Sequence, residues 1–205
     1  MKILIIHNHY LEEGGEDRVV DSEIKMLKGF GHEVIIYKRS NKEIKGFPLC
    51  KKVKFLLKDI IWSNETYREI REIIKKEKPD VAHVHNICIL ITPSVYDALD
   101  DFNIPVVQTL HNYRLICLNG LLYRDNKICE ECLLRRSFLP ALMHKCWRNS
   151  FFLSLAMARM LGAYFKKVNS QNKVAAYIAL SKFSKNKFIE SGLRQGKIFV
   201  KQNFI

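Results

Sequence analysis

Pro105-Val106-Val107-Gln108-Thr109-Leu110-His111-Asn112 is an apolar run of strand length that ends in a His-Asn pair. The same ending occurs twice more: Ile3-Leu4-Ile5-Ile6 runs into His7-Asn8, and Val81-Ala82-His83-Val84 runs into His85-Asn86. Two of the three runs follow a helical segment, the pattern of strand–helix–strand units that feed a parallel sheet. Ligands of such sheets bind in the crevice outside the carboxyl ends of the strands. Three imidazoles and three amides are therefore expected on one sheet edge, as a polar site on an apolar scaffold. His83 alternates with Val84 and is expected to be a satisfied core residue.

Outward from these runs, strands are expected at 2–6, 33–37, 104–110, 175–180 and 198–200, with Pro79 opening the strand unit around Val81. Helices are expected at 16–29, 64–76, 94–101, 150–167 and 181–191, and the apolar spacing of Val53, Leu56, Leu57, Ile60 and Ile61 adds one at 51–62. In the first helix Val19, Val20, Ile24 and Leu27 share a face, and Gly29 and Gly31 give its stop. Alternating strands and helices argue one α/β domain over 1–205, built on an open, mostly parallel sheet with helices on both faces.

A hydrophobic content of 48% supports a real core and excludes a disordered tail. The net charge of +13 calls for an acidic partner: nucleic acid, an anionic membrane, or phosphorylated substrates. No apolar run reaches the ~18 residues of a membrane-spanning helix, and no leader cleavage site follows the N-terminus. A cytoplasmic location with reduced thiols is therefore expected, peripheral to the membrane if the basic helix 51–62 and its Trp62 lie on an anionic bilayer. That helix reads equally as an ordinary surface helix packed on the sheet.

Gly14-Gly15 follows the first strand and opens a helix, where phosphate can approach bare amides at a positive dipole end. Glu12, Glu13, Glu16 and Asp17 crowd the loop and repel phosphate. The loop thus reads as a diphosphate site, as an acidic first turn that complements the dipole, or as both, with Glu16 taking a sugar hydroxyl. His111 can bond a sugar hydroxyl or move a proton near neutral pH, and Arg114 can hold a phosphate. Zinc on the edge imidazoles is disfavoured, because each brings an amide neighbour suited to hydroxyl recognition and no nearby carboxylate is expected to orient a ligand.

Cys117, Cys129, Cys132 and Cys146 form C-x11-C-x2-C-x13-C in a loop-rich stretch, 115–148. Four thiols at such spacing in a reduced compartment suit a structural, tetrahedral zinc in a knuckle-like insertion, with His144 as a substitute ligand. A redox CxxC and an iron–sulfur cluster are the alternatives. Cys50 and Cys88 stand apart and are expected to be buried or part-buried.

These motifs together resemble the N-terminal, Rossmann-like domain of GT-B glycosyltransferases, specifically family 4-like retaining enzymes. The resemblance rests on Gly14-Gly15-Glu16-Asp17-Arg18-Val19, Gly31-His32-Glu33-Val34, Pro79 to Asn86, Pro105 to Arg114, Tyr177-Ile178-Ala179-Leu180-Ser181 and Lys197 to Phe204. It implies transfer from a nucleotide-sugar donor to a saccharide or lipid-linked acceptor, as in cell-envelope polysaccharide synthesis, without a catalytic metal. It implies His111 at the reaction centre, Gly14 and Gly15 near the diphosphate and acceptor, Ser181 leading toward the cleft, and Asn203 at a hinge. His7, Asn8, His85, Asn86, Asn112, Tyr113 and Arg114 would shape the substrate side. Such enzymes carry a second, donor-binding domain beyond the hinge. Here the sequence stops at the crossing point, so either the reading frame is truncated or the second domain is a separate polypeptide, and the chain alone is expected to be inactive or nearly so. A basic, zinc-containing nucleic-acid-binding module is the alternative from composition, and a non-catalytic partner of a complete transferase is another.

Overall fold

The computed structural model describes residues 1–12 and 14–203; Glu13 and Phe204, both within motifs quoted above, lie outside the described residues. Six strands form one parallel sheet: β1 (Lys2–His9), β2 (Glu33–Ser40), β3 (Val81–Asn86), β4 (Val106–Leu110), β7 (Ala176–Ala179) and β8 (Ile198–Val200), in the order β2-β1-β3-β4-β7-β8. β5 (Tyr123–Arg124) and β6 (Lys127–Ile128) form a separate small hairpin. The α/β class and the parallel sheet are as the alternation predicts, and β3 and β4 are central.

The first strand runs further than its apolar residues. It includes His7 and Asn8, and β3 likewise includes His85 and Asn86. Only His111-Asn112 lies just past its strand. A register shift between Ile6 and His7 breaks the β1–β3 ladder at this edge and sets His7 opposite Asn86.

The period of two divides the core. Leu4, Ile6, Ala82 and Val84 face a large cluster shared with α3 (Asn64–Glu77), α4 (Ser94–Asp100), α7 (Phe151–Tyr164) and α8 (Lys182–Glu190). Ile3 and Ile5 face a small cluster with Val20 and Ile24 of α1 (Gly15–Gly29). Helices do cover both faces, but unevenly. Gly31, at φ +79, ends α1 in a left-handed turn that a side chain would strain.

The basic stretch is helical from α2 (Leu49–Lys54) through a wider π turn over Phe55–Asp59. Its apolar residues split: Leu56, Ile60 and Ile61 pack on the core, while Leu49, Val53 and Leu57 stay exposed. Trp62 does not lie free for an interface, because its Nε1–H donates to Asp97 Oδ2 of α4 at 2.6 Å. Cys50 is exposed, contrary to expectation, because α2 buries none of its residues. Among the described residues no helix is long and apolar enough to cross a membrane.

Residues 115–148 hold the hairpin and two short helices, α5 (Glu131–Leu134) and α6 (Leu139–Met143). Asp125 and Asn126 both take positive φ, 53° and 59°, the geometry of a two-residue hairpin turn.

Candidate active site

Beyond the carboxyl ends of β3 and β4, against the first turn of α1, Glu16, His85, Asn86, Thr109, His111, Asn112 and Arg114 line a cavity of about 40 Å³. The fold therefore brings together the second and third His-Asn pairs and Glu16 of the first helical turn, from segments far apart in sequence.

Gly14 caps α1, and Asp17 holds the loop from within the helix. Asp17 Oδ2 accepts the Gly14 N–H at 2.6 Å, and its Oδ1 meets His7 Nε2 and His9 Nδ1 at 2.7 Å each. Burial opposes its charge, but the Gly14 and His7 hydrogen bonds outweigh it and hold the carboxyl below the usual range. Gly14 has an ordinary φ of −113°, and a Cβ placed on Gly15 would meet no described atom within 4 Å. Neither glycine is demanded by the chain's own packing. Their bare backbone leaves open space beside a helix N-terminus.

Glu16 points the other way. Its two carboxyl oxygens accept from Asn86 Nδ2 at 2.9 Å and from Asn112 Nδ2 at 3.2 Å. Burial, and then the neighbouring Asp17, raises it to about 7, against the opposing pull of Arg114. Its charge is thus balanced near neutral pH.

The imidazoles form a chain under α1. His111 Nε2 meets His85 Nδ1 at 2.9 Å, and His83 Nε2 meets Thr109 Oγ1 at 2.8 Å, so His83 is satisfied in the core. Glu23 Oε1 lies 3.4 Å from His83 Nδ1, and Glu23 Oε2 lies 3.9 Å from His85 Nε2. Burial lowers His83 and His111 to about 4 and drives His85 well below its ordinary value, so all three rings are neutral at pH 7. Of the two roles read for His111, a hydrogen-bonding imidazole fits this and a proton shuttle near neutral pH does not. Its Nδ1 has no partner among the described residues.

The expectation that no carboxylate lies near the edge imidazoles does not hold, because α1 delivers two across the sheet. Glu23 with His83 and His85, and Asp17 with His7 and His9, each gather ligand atoms within 4.8 Å of one another. Lys201 Nζ, 3.3 Å from Glu23 Oε1, supplies a cation at the first group already.

Other named residues are spent on structure. Asn8 is fully buried; its amide donates to Asn41 Oδ1 at 3.0 Å and to the Cys88 carbonyl, and its Oδ1 accepts from Leu90 N at 3.3 Å. Its backbone carbonyl fixes Asn86 at 2.7 Å. Tyr113 stacks on Phe188 of α8 with ring centroids 6.0 Å apart. The Ser181 hydroxyl accepts from Ser184 N at 3.1 Å and caps α8. Arg114 reaches the cavity from between two rings, its guanidinium carbon 4.5 Å from the Trp147 centroid and 5.7 Å from that of Tyr10. Tyr10, Glu23 and Trp147 escape a sequence reading. Only the spacing of Glu16 and Glu23, two turns apart on one helix face, carries a signal.

Cys117, Cys129, Cys132 and Cys146 all border one small cavity of about 10 Å³. Burial, and behind it the nearby Cys117, Cys146 and Cys129, raises the Cys132 thiol to about 11.

The Glycosyltransferase Family 4 model matches residues 13–205. No curated protein matches the sequence. Among solved structures, the S. aureus MnaA–UDP co-structure is similar at a TM-score of 0.53 and 12% identity, covering 98% of this chain and 44% of that one. The lipopolysaccharide outer core galactosyltransferase WaaB in its apo form is similar at 0.50 and 10%, covering 100% and 46%. The chain thus spans less than half the length of these two structures, and at these identities the likeness is one of fold. The family match, the parallel sheet and the crevice at its edge agree: the chain belongs to Glycosyltransferase Family 4.

Proposed function

We propose that this chain forms the acceptor-side half of a sugar transferase. A nucleotide sugar is the donor, a saccharide or lipid-linked molecule is the acceptor, and a donor-binding domain completes the site. The observation that carries the reading is Glu16 held between Asn86 and Asn112 beside His111, whose buried Nδ1 has no partner among the described residues. Acceptors of hydrogen bonds and amide donors converge there on a space of hydroxyl scale. UDP in the MnaA structure and the sugar transfer named for WaaB support a nucleotide-sugar substrate.

In this reading the bond from the sugar's anomeric carbon to the diphosphate oxygen breaks with its electron pair leaving on the nucleoside diphosphate, a bond from that carbon to an acceptor hydroxyl oxygen forms, and the hydroxyl proton passes to the departing diphosphate. His111 positions the transferred sugar through a neutral ring whose Nε2 is already engaged by His85. Glu16, near neutrality at about 7, takes a hydrogen bond from a hydroxyl or gives one. Gly14 and Gly15 admit the diphosphate or the acceptor to the helix N-terminus. Any zinc is structural and sits at the four cysteines, away from these groups.

A lipid-linked acceptor agrees with one surface feature. Leu49, Val53 and Leu57 recur at one-turn spacing, exposed, among Lys51, Lys52, Lys54 and Lys58. That face suits an anionic bilayer.

The test is His111→Ala in an enzyme reconstituted with a donor domain. Turnover with a nucleotide sugar should fall at least tenfold while the fold, read by circular dichroism, is kept. Unchanged turnover would remove His111 from the reaction centre.

A further inference from the structure

We infer that the four cysteines hold one zinc ion, and that this ion fixes the loop carrying Arg114 into the sugar-facing crevice. The metal was legible as a spacing; its link to the crevice was not. The second part rests on the crevice being the substrate site, whereas the first stands without it.

The thiols come from three places in the insertion. Cys117 lies in the turn after β4, Cys129 and Cys132 flank the start of α5, and Cys146 follows α6. All four border one cavity of about 10 Å³, although among the described residues no three of their sulfurs lie within 4.8 Å of one another, so binding would draw them inward. Four soft thiolate ligands with no open position are the donor set of structural zinc. A zinc with four thiolates carries net negative charge, and the fold places a cation against it. Arg124 lies beside Cys146 and Cys129 while its Nη2 bonds Glu131 Oε1 at 2.9 Å. Such an outer partner orients the ligands and offsets their charge. Apolar burial holds part of this segment, through Leu115, Ile116, Leu118, Leu122, Leu133 and Ala141, whereas Leu121, Tyr123, Ile128, Leu134, Leu139 and Met143 are exposed. A metal would add order to the stretches that the core does not hold.

The link runs through two ligand neighbours. Leu118, next to Cys117, accepts Arg114 Nη1 on its carbonyl at 3.1 Å. Trp147, next to Cys146, carries the Arg114 guanidinium on its ring. Between them, Gly120 stands at φ +80, and a Cβ there would come within 3.3 Å of Arg114 Nη2. The loop is closed by Cys117 N–H to the Tyr113 carbonyl at 2.8 Å and Tyr113 N–H to the Gly120 carbonyl at 3.0 Å. A metal that pins Cys117 to Cys146 thereby clamps Arg114 from both sides.

The experiment is zinc titration of the reduced, metal-stripped chain, read by metal analysis and by the ¹⁵N-edited resonances of its two indoles. About one zinc per chain should bind. Cobalt should replace it with the absorption of a tetrahedral thiolate site. Cys129→Ser and Cys132→Ser should each weaken uptake at least tenfold, and Cys50→Ser should leave it unchanged. The Trp147 indole should shift on binding, and that shift should vanish in Arg114→Ala, with Trp62 as reference. No uptake by the unmutated chain, uptake indifferent to both serine variants, or iron with sulfide in place of zinc would overturn the metal. Zinc bound with Trp147 unmoved would overturn the clamp. No readout involves a sugar, so failure of the transferase reading is separately visible.

Discussion

Glu16→Gln keeps the shape of a side chain between two asparagines and removes its charge, which makes it a direct probe of how this crevice is built. The carboxyl stands at about 7 in the fold against an ordinary 4.5, with burial as the main cause. At about 1.4 kcal/mol per pH unit, the full gap corresponds to ~3 kcal/mol. Below pH 4.5 both folded and unfolded chains carry the proton and there is no penalty. Between 4.5 and 7 the unfolded chain releases it while the folded chain keeps it, so stability falls with rising pH. Above 7 the loss is complete. About 2 kcal/mol of it falls between pH 5.5 and 8. Glu16 retains some contact with water, which trims the expected effect to roughly 1–2 kcal/mol. Urea unfolding of both proteins at several pH values reads it directly. The stability of Glu16→Gln relative to the parent should rise by that amount from pH 5.5 to 8. A gap that stays constant across this range would mean that Glu16 ionises as an exposed carboxylate does, and the desolvated crevice would be wrong.

Three further outcomes follow from the same geometry. His83 and His111 are held neutral, near 4 against 6.5, so their contribution is complete above 6.5 and is lost as pH falls toward 4; thermal midpoints should drop steeply over that window, and less in His83→Gln. Ser181→Ala removes the cap of α8 and should cost about 1 kcal/mol in denaturant unfolding while saccharide binding is unaltered; weakened binding at unchanged stability would instead put Ser181 in the site. If the exposed face of residues 49–58 meets a bilayer, Leu57→Asp should reduce co-sedimentation with vesicles of anionic lipid severalfold, and neutral vesicles should bind neither protein.

The strands and the edge they define could be read from sequence because period-two burial is a local property. Ile3 and Ile5 against Leu4 and Ile6 declare two faces before any tertiary contact is known. The His-Asn endings were legible for the same reason, as polar residues at the last positions of apolar runs. Their division of labour was not. Asn8 turns to the Cys88 carbonyl, whereas Asn86 and Asn112 turn to Glu16, and these partners are set by tertiary contacts that a strand pattern does not carry. The carboxylates beneath the imidazoles were hidden because they arrive from a helix laid across the sheet. Asp17 and Glu23 meet histidines ten and sixty or more residues away. The hairpin at Tyr123–Ile128 hid behind an Asp-Asn turn, where Asn-Gly or Asp-Gly is the usual signal.

The unequal halves of the core have a consequence for how the molecule breathes. α1 is anchored by Val20 and Ile24 on Ile3 and Ile5, whereas α3, α4, α7 and α8 share one large cluster. Detaching α1 therefore opens the smaller of the two apolar clusters, and its amides should exchange with solvent before those of α7. The same event carries Glu16, Asp17 and Glu23 away from the histidines at once and admits water to all of them. Assembly of the crevice and docking of α1 are then a single step, and whatever binds across that edge also latches the helix.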